Sequence, residues 1–275
     1  MRKPITDDLM RQFRETVWTH YRQFGRRDLP WRQPEAGSFD PYKIMVSELM
    51  LQQTQVARVI PKYREFLSNF PTVQALAAAP QADVLRAWSG LGYNRRARFL
   101  HQAAQRIIEQ FAGSFPDNSV QLISLPGIGS NTAGAIMAYA FNQPVVFIET
   151  NIRTVFIHHF FEGQDDISDA EILALVEQTL DHLRPRNWYW ALMDYGSFLK
   201  RSVGNPNRQS RHYTRQSSFH GSQRQIRGQV IRLLGEAQLT RSDLARYIDD
   251  ARLTAVLHEL ETEGLIHQNA GYFTL

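Results

Sequence analysis

Several kinds of residue and pattern are missing from this 275-residue sequence, and each absence excludes a class of chemistry. There is no cysteine, so disulfides, thiolate catalysis and cysteine-ligated zinc or iron–sulfur sites are excluded. No apolar run of about 18 residues occurs and the charged start MRKPITDDLM has no apolar core, so we expect a soluble, intracellular protein without a membrane span. The adjacent histidines His158 and His159 would point about 100° apart on a helix, and no metal site is predicted.

Acidic residues are also missing from one long stretch. The whole chain has 31 Lys and Arg against 27 Asp and Glu, a net charge of +4. Between residues 200 and 235 there is no Asp or Glu, and the basic residues are Lys200, Arg201, Arg208, Arg211, Arg215, Arg224, Arg227 and Arg232. Such a stretch is either a disordered basic linker or a strip that follows a phosphate backbone, and both interpretations stay open.

Helical periodicity dominates the chain up to Ser202 and predicts an all-α body. The first helix has Thr6 as its N-cap, acidic residues in its first turn and Gly25 at its end. Similar patterns recur in PYKIMVSELMLQQT, VARVIPKYREFLSNF, QADVLRAWSGLG, RRARFLHQAAQRIIEQF, SDAEILALVEQTLDHL and RNWYWALMDYGSFLKRS. No long alternating strand pattern separates them.

A change of composition marks the C-terminal part. Residues 204–223 are rich in Ser, Gln, Arg and Gly, which is typical of a linker or an irregular loop. Residues 224–275 show three helical patterns and a short closing hairpin, which predict a winged-helix-like module. The alternative is a plain three-helix capping domain.

The stretch LPGIGSNTAGAIMAYAFNQPVVFIETN, Leu125 to Asn151, combines three features. A two-glycine turn opens a helix, and the N–H groups at a helix start can bind a phosphate. A helix of small residues follows, and then a lone carboxylate arrives on an apolar run. This order suggests a carboxylate that acts on a molecule held by its phosphate.

These residues and several others resemble the helix-hairpin-helix DNA glycosylases, and within them the MutY-type adenine glycosylases. The segments that carry the resemblance are LPWR (29–32), VSELMLQQTQVARVIPKY (46–63), FPTVQALAAAP (70–80), WSGLGYNRRARFLHQAAQ (88–105) and LPGIGSNTAGAI (125–136). It implies a six-helix subdomain over 32–141 that contains the hairpin. It also implies a second helical subdomain over 142–203, against which an N-terminal helix in 1–31 packs.

The resemblance assigns the DNA contacts. Gly127 and Gly129 would allow the hairpin backbone a path that bulky residues cannot follow, and Ser130 and Thr132 would meet a phosphate. The family also holds a monovalent cation at this hairpin.

Enzymes that act on a base must flip it out of the duplex and fill the gap that it leaves. By resemblance Gln52, Gln53 and Tyr93 would form this wedge. The alternative is that they are solvated residues at helix ends.

Two carboxylates are the implied catalysts. Glu48, in the apolar setting of Ile44, Met45, Val46 and Leu51, would protonate a purine N7 and make the base a leaving group. Glu149, followed by Asn151, stands where the family has Asp, whose charge stabilises the oxocarbenium sugar. The longer side chain of Glu149 leaves three interpretations open: compensated catalysis, an altered substrate and loss of activity.

Three further positions bear on the reaction and its specificity. Asn131 stands where bifunctional relatives have Lys, so no Schiff base can form there and strand cleavage is not expected. Arg32 and Trp190 are expected to line the base pocket. Trp190 replaces a polar family residue, which would favour stacking over hydrogen bonding, and its alternative is a core position.

MutY-type proteins usually carry an iron–sulfur cluster on four cysteines after the MDLG segment, and this chain has none there. We therefore expect no cofactor other than the hairpin cation. Arg201, Arg208, Arg211 and Arg215 either take over contacts of the lost cluster loop with DNA, or the loop hangs free.

These features together predict an all-α, helix-hairpin-helix, monofunctional DNA glycosylase of base excision repair. Its expected partner is double-stranded DNA with a damaged or mispaired base, and the expected substrate is adenine opposite guanine or 8-oxoguanine. A glycosylase for uracil, hypoxanthine or an alkylated purine, and a non-catalytic protein that binds distorted DNA, are the alternatives. We expect a cytoplasmic, nucleoid-associated monomer.

Overall fold

The computed structural model describes residues 5–216 and 218–275. The first four residues of the predicted N-terminal segment and Ser217 of the predicted linker lie outside the described residues. The chain forms two compact units. Unit 1 comprises residues up to Ile44, Asp117–Ile123 and Ile128–Arg215, and unit 2 comprises Met45–Pro116, Ser124–Gly127 and Gln216–Leu275.

The described residues are mostly helical, which confirms the predicted all-α class. The helices are α1 (Asp7–Phe24), α2 (Pro41–Leu51), α3 (Val56–Asn69), α4 (Val73–Ala78), α5 (Gln81–Trp88), α6 (Arg95–Phe111), α7 (Ser119–Ser124), α8 (Ser130–Tyr139), α9 (Thr150–Phe160), α10 (Asp169–Thr179), α11 (Pro185–Ser202), α12 (Gln223–Glu236), α13 (Arg241–Tyr247) and α14 (Leu253–Thr262). Short 3₁₀ helices span Pro30–Arg32 and Pro206–Gln209. The strands are β1 (Leu239–Thr240), β2 (His267–Asn269) and β3 (Tyr272–Thr274). Among the described residues, no helix combines the length and the apolar character that crossing a membrane requires.

Helix α1 shows how the sequence forms the elements of unit 1. The Thr6 side chain accepts a hydrogen bond from the Leu9 amide at 3.2 Å and caps the helix, as expected. Phe13, Val17 and Tyr21 lie on one face and are buried, and α1 packs against α11. Burial of such an apolar stripe supplies most of the stability of a surface helix.

Helices α9 and α11 form the centre of unit 1 and approach each other closely. At Gly196 of α11, an added Cβ would lie 2.3 Å from the backbone carbonyl oxygen of Asn151. No side chain other than that of glycine fits this contact. The start of α9 is therefore held directly against the backbone of α11.

The core of unit 2 lies among α3 to α6, where Phe66, Trp88 and Leu100 are fully buried. Its C-terminal part confirms the winged-helix-like module. Helices α12, α13 and α14 accompany an antiparallel sheet of strand order β1-β3-β2. The sequence predicts only the β2–β3 hairpin, because β1 has just two residues and no alternating pattern.

Helix α7, on the N-terminal side of the hairpin, is an element that the sequence pattern does not predict. Its apolar residues Val120 and Ile123 are exposed and only Leu122 is buried, so there is no apolar periodicity to detect. The predicted segment boundaries at 31, 141, 203 and 223 stay a prediction, since the compact units each combine separate stretches of the chain.

Candidate functional site

Glu149 lies at the start of α9 and caps it with its own side chain. Its Oε1 accepts hydrogen bonds from the amide of Asn151 at 2.6 Å and from the amide of Ile152 at 3.1 Å. The helix dipole favours a negative charge at this end. Within the described residues Oε1 takes both bonds, so the second carboxylate oxygen is left to face another group.

Hydrogen bonds connect Glu149 with α11 through Asn151. The Lys200 ammonium donates a hydrogen bond to the side-chain Oδ1 of Asn151 at 2.9 Å. The backbone N–H of Asn151 is one of the two groups that bind Glu149. Asn151 thus links a carboxylate and an ammonium that form no direct ion pair among the described residues. The carboxamide is oriented by Lys200, because only its oxygen can accept that bond.

Burial raises the pKa of Glu149 above its usual range, and the nearby charges and amides oppose that shift. Lys200 is the largest opposing influence, followed by the two capping amides and Arg153. Arg153 is itself paired with Asp169 of α10 through two bonds of 2.8 Å, which limits what it contributes. Burial also lowers the pKa of Lys200.

The segment that replaces the cluster loop is pinned to α9. The buried Asn207 side chain donates to the Thr150 carbonyl at 3.0 Å and to the Thr154 hydroxyl. Ile167 forms a parallel bridge with Ser210. The interpretation of this part as a freely hanging loop is therefore wrong for residues 206–210, which these bonds fix in place.

The three arginines of this segment are exposed, but they are not equivalent. Arg211 donates two hydrogen bonds to the Asp166 carboxylate, at 2.9 and 2.6 Å, whereas Arg208 and Arg215 show no such pairing within the described part of the chain. An exposed ion pair of this kind adds little stability. A cluster ligated by cysteine does not fit this segment, because the sequence offers no thiolate.

Arg32 and Trp190, the predicted base-pocket residues, are both buried and lie together. The Arg32 guanidinium is 5.2 Å from the Trp190 ring centroid and makes a two-bond ion pair with Asp194, at 2.8 and 3.0 Å. Trp190 also stacks on Tyr139 with ring centroids 5.9 Å apart. Burial by itself would raise the pKa of Asp194, but Arg32 and Arg26 outweigh it and hold that pKa below its usual range.

The hairpin residues surround the start of α8. Gly127 has φ +77° and an added Cβ would lie 2.7 Å from the Cβ of Phe99, so glycine is required there, as expected. The same expectation is wrong for Gly129, whose φ is −87° and whose missing Cβ faces open space. Its bare backbone instead leaves room for a ligand to approach the exposed first turn of α8, which begins at Ser130.

Asn131 and Thr132 follow Ser130 in that first turn. Asn131 is exposed, and its Oδ1 accepts a hydrogen bond from the Ile148 amide at 3.4 Å, which ties the first turn of α8 to the apolar run before Glu149. Thr132 is half-buried.

Glu48 lies in the last turns of α2, partly buried between the buried residues Ser47 and Leu49. The helix ends at Leu51, so Gln52 and Gln53 lie just beyond it.

Two of the predicted wedge residues have left-handed backbones. Gln53 has φ +53° and Tyr93 has φ +48°. Non-glycine residues seldom adopt this conformation, which costs on the order of 1 kcal/mol and concentrates at functional positions. Gln53 is exposed and Tyr93 half-buried, so both are available to a partner.

The buried Arg96, which no sequence pattern distinguishes, binds the backbone of both wedge loops. These loops are the one after α2, with Gln52 and Gln53, and the one with Gly92 and Tyr93. The Arg96 guanidinium donates to the carbonyls of Leu49 at 2.6 Å, Met50 at 3.0 Å and Gln52 at 2.6 Å, and to that of Gly92 at 3.0 Å. Burial lowers the pKa of Arg96 to about 10, so it stays charged at neutral pH. The only signal in the sequence is its place in GYNRRARF, where nothing distinguishes it from its exposed neighbour Arg95.

Comparison with known proteins places these features in one class. The chain matches the HhH-GPD superfamily of base excision DNA repair proteins over residues 46–180. A solved structure of a thermostable thymine-DNA glycosylase aligns with 70% of this chain and 87% of that protein, with a TM-score of 0.61 and 25% identity. The helix-hairpin-helix glycosylase fold expected from the sequence is therefore confirmed.

The relatives narrow the class further. The chain is 34% identical over 274 residues to an adenine DNA glycosylase of Mycolicibacterium smegmatis, covering 91% of this chain and 92% of the relative. It is 37% identical over 191 residues to an adenine DNA glycosylase of Buchnera aphidicola, where the match spans 68% of this chain and only 52% of the relative. The chain belongs to the MutY-type adenine DNA glycosylase family, as its motifs suggested.

Proposed function

We propose that this protein is a monofunctional DNA glycosylase that removes adenine mispaired with guanine or 8-oxoguanine from double-stranded DNA. The observation that carries the proposal is Glu149, which this family member presents at the start of α9 with one oxygen engaged by the helix and a lysine nearby. A carboxylate held in this way is preorganised to stabilise a cationic sugar.

The proposed reaction assigns each carboxylate one task. Glu48 donates a proton to N7 of the flipped adenine, which turns the base into a leaving group. The bond between N9 and C1′ then breaks, and the negative charge of Glu149 stabilises the positive charge that develops on the sugar. Water adds to C1′ and gives an abasic site, and the proton that it releases replaces the one that Glu48 donated. Asn151 holds Glu149 and Lys200 in position.

The added methylene of Glu149 relative to the family Asp is accommodated by the fold-back of its side chain onto the amides of Asn151 and Ile152. This geometry favours compensated catalysis over the two other interpretations of the Glu, an altered substrate and lost activity.

DNA binding would use the hairpin, the wedge and the basic segment. The exposed turn Gly127, Gly129 and Ser130 would hold a phosphate, and Gln52, Gln53 and Tyr93 would fill the gap left by the flipped nucleotide. Arg208 and Arg215 would contact the backbone, and Arg211 would do so at the expense of its pair with Asp166. Binding should therefore weaken steeply with salt, and neutralising the three arginines should flatten that slope.

Strand cleavage is not part of the proposal. It would require an amine that attacks C1′, and Asn131 supplies only a carboxamide. Lys200, although close to Asn151, donates its hydrogen bond to that residue. Borohydride reduction during turnover should trap no covalent complex with DNA.

The proposal also includes a monomer that acts in the cytoplasm at the nucleoid, a monovalent cation at the hairpin, and no other cofactor.

A panel of duplexes tests the proposed function. Each duplex carries one candidate base, namely adenine opposite guanine, 8-oxoguanine or cytosine, and uracil, hypoxanthine or an alkylated purine in parallel. Alkali after incubation should cut the adenine strand opposite guanine or 8-oxoguanine, and samples without alkali should remain whole. Release of another base, or of none, overturns the assignment.

A further inference from the structure

The first turn of α9 holds the Glu149 carboxylate, and two elements of unit 1 hold that turn in place. Helix α11 packs against it where the missing side chain of Gly196 admits the backbone carbonyl of Asn151. The 3₁₀ helix Pro206–Gln209 also lies on it and bonds to it through Asn207. The proposed reaction uses Glu149 and Asn151 but gives Asn207 no task.

Asn207 binds the peptide unit that orients the carboxylate. Its side-chain Nδ2 donates to the backbone carbonyl of Thr150 at 3.0 Å. That carbonyl and the N–H of Asn151 belong to the same peptide unit, and this N–H donates to Oε1 of Glu149 at 2.6 Å. Because a peptide unit is planar, a bond that fixes the carbonyl also fixes the direction of the N–H. A hydrogen bond accepted at the carbonyl also polarises the N–H and strengthens its bond.

The hydroxyl of Thr154 completes this contact. It accepts a hydrogen bond from Nδ2 of Asn207 and donates to the Thr150 carbonyl at 2.7 Å. Thr154 is fully buried and Asn207 is only 3% exposed, so these groups bond to one another rather than to water. The first turn of α9 is therefore tied to the 3₁₀ helix by a desolvated set of hydrogen bonds.

Asn207 is itself held at both ends of its segment. The Oδ1 of Asn205 accepts a hydrogen bond from the Asn207 N–H at 3.3 Å and caps the 3₁₀ helix. At the other end, the Gln209 carbonyl accepts a hydrogen bond from the Ile167 N–H at 3.0 Å, and the Ile167 carbonyl accepts one from the Arg211 N–H at 3.0 Å. The side chain of Asn207 therefore extends from a fixed backbone.

The burial of Asn207 carries a cost that packing does not explain. Among the described residues, its Oδ1 finds no hydrogen-bond donor. A buried acceptor without a donor destabilises the folded state, and an apolar side chain of similar shape, such as that of leucine, would avoid this cost. What asparagine provides and leucine lacks is the donor that holds Thr150.

We propose that Asn207 is a positioning residue for base release, because it holds the peptide unit between Thr150 and Asn151 and through it the Glu149 carboxylate. The inference rests on the proposed function, since it requires Glu149 to act on the sugar. Misplacement of a reacting group by about 1 Å can cost about 10²-fold in rate. We expect a smaller loss without Asn207, because Gly196 and Lys200 still hold the turn from the side of α11.

Single-turnover kinetics of Asn207→Leu, on the best substrate of the duplex panel, test the proposal. Base release should slow by about tenfold, while the dissociation constant for a duplex with a tetrahydrofuran abasic site should change little. The same change in a Glu149→Gln background should have almost no further effect, because the group that Asn207 positions is then no longer charged. An equal loss of rate in both backgrounds would assign Asn207 a general structural role and overturn the proposal.

A second readout needs no turnover. Hydrogen exchange of the backbone amides in residues 149–154 should be about tenfold faster in Asn207→Leu, since one buried bond to this turn is lost. Gln209→Met is the matched control and should match the parent protein in both readouts. It removes a side-chain amide from the same 3₁₀ helix, and in the described part of the chain that amide makes no bond to α9.

The outcomes for Asn207 and for the proposed function can be told apart. A parental rate of base release in Asn207→Leu, or parental hydrogen exchange, overturns the inference. If that variant does not fold, Asn207→Ala takes its place, because it removes the same donor without added bulk. Failure of the parent protein to release any base would instead contradict the proposed function, and hydrogen exchange would still decide whether Asn207 holds the turn.

Discussion

The carboxylate region of unit 1 and the wedge region of unit 2 are built on opposite principles. Around Glu149 the backbone is regular, and the unfavourable element is a partly buried charge that a helix start and Lys200 compensate. Around Gln53 and Tyr93 the side chains are accessible, and the unfavourable element is a left-handed backbone that Arg96 holds. In the proposed reaction, a charge that acts on a developing cation has to be fixed and desolvated, whereas a wedge has to protrude.

The largest effect is expected from removing the charge in unit 1. Glu149→Gln should lower the rate of base release by about 10³-fold, since an ion pair at an effective dielectric near 20 is worth about 4 kcal/mol. The amide oxygen of Gln can still cap α9, so fold and DNA affinity should persist. Single-turnover kinetics with an adenine–guanine duplex measure this, and parental rates would show that the carboxylate is not catalytic.

Glu149→Asp is the matched companion to that variant. Asp keeps the charge and is a good N-cap, but it withdraws the carboxylate by one methylene. We expect a lower rate than that of the parent, because the surroundings suit the longer side chain. A rate equal to or above that of the parent would mean that Glu is merely tolerated.

In unit 2, the buried arginine should matter more than either wedge residue. Arg96→Met leaves the carbonyls at the end of α2 without donors, and should lower the free energy of unfolding by about 3 kcal/mol. Urea denaturation measures the loss. Arg64→Met on the exposed face of α3 is the control and should cost less than about 0.5 kcal/mol. Equal stabilities for the two variants would contradict the proposed role of Arg96.

Glu48→Gln tests a second catalytic group, the proposed acid in unit 2. The amide cannot donate the proton to the purine, so base release should slow by about 10²-fold while duplex binding stays intact. A substrate that leaves without protonation gives the sharper comparison. The Glu48→Gln change should slow the release of a base with a more acidic N9–H less than it slows the release of adenine. An equal loss of rate on both duplexes would argue against acid catalysis.

The smallest effect concerns Lys200 and is a shift along the pH axis. Burial raises the pKa of Glu149 and Lys200 opposes that rise, so Lys200→Met should raise the pKa further. Glu149 would then be protonated at a higher pH, and the acidic limb of the rate profile should move to higher pH. The flanking charges Arg153 and Asp169 remain in place in this variant.

Lys200→Arg serves as the control because it retains the positive charge. It should return the acidic limb toward the parental position. A Lys200→Met profile that falls uniformly at all pH values, without displacement, would reduce Lys200 to a packing role.

Several features could be predicted from the sequence because they are local. Helix periodicity, the cap at Thr6, the tight turn at Gly127 and the absence of thiolates depend on neighbouring residues or on composition alone. The motif segments indicated the protein family, and the family implied the expected roles of Glu48, Glu149 and the wedge. These roles are properties of residue type and position along the chain.

Only the tertiary structure brought distant polar groups together. Lys200 reaches Asn151, Asn207 is anchored on α9, and Arg96 joins two loops, each across tens of residues of chain. Arg224 meets Tyr93 in the same way. Periodicity shows which face of a helix is buried, but a polar side chain gives no sign of its partner, because its bond is decided by which helices pack together. The sequence alone therefore determined the fold class and predicted the candidate reacting groups, and folding decided how those groups are charged, held and supported.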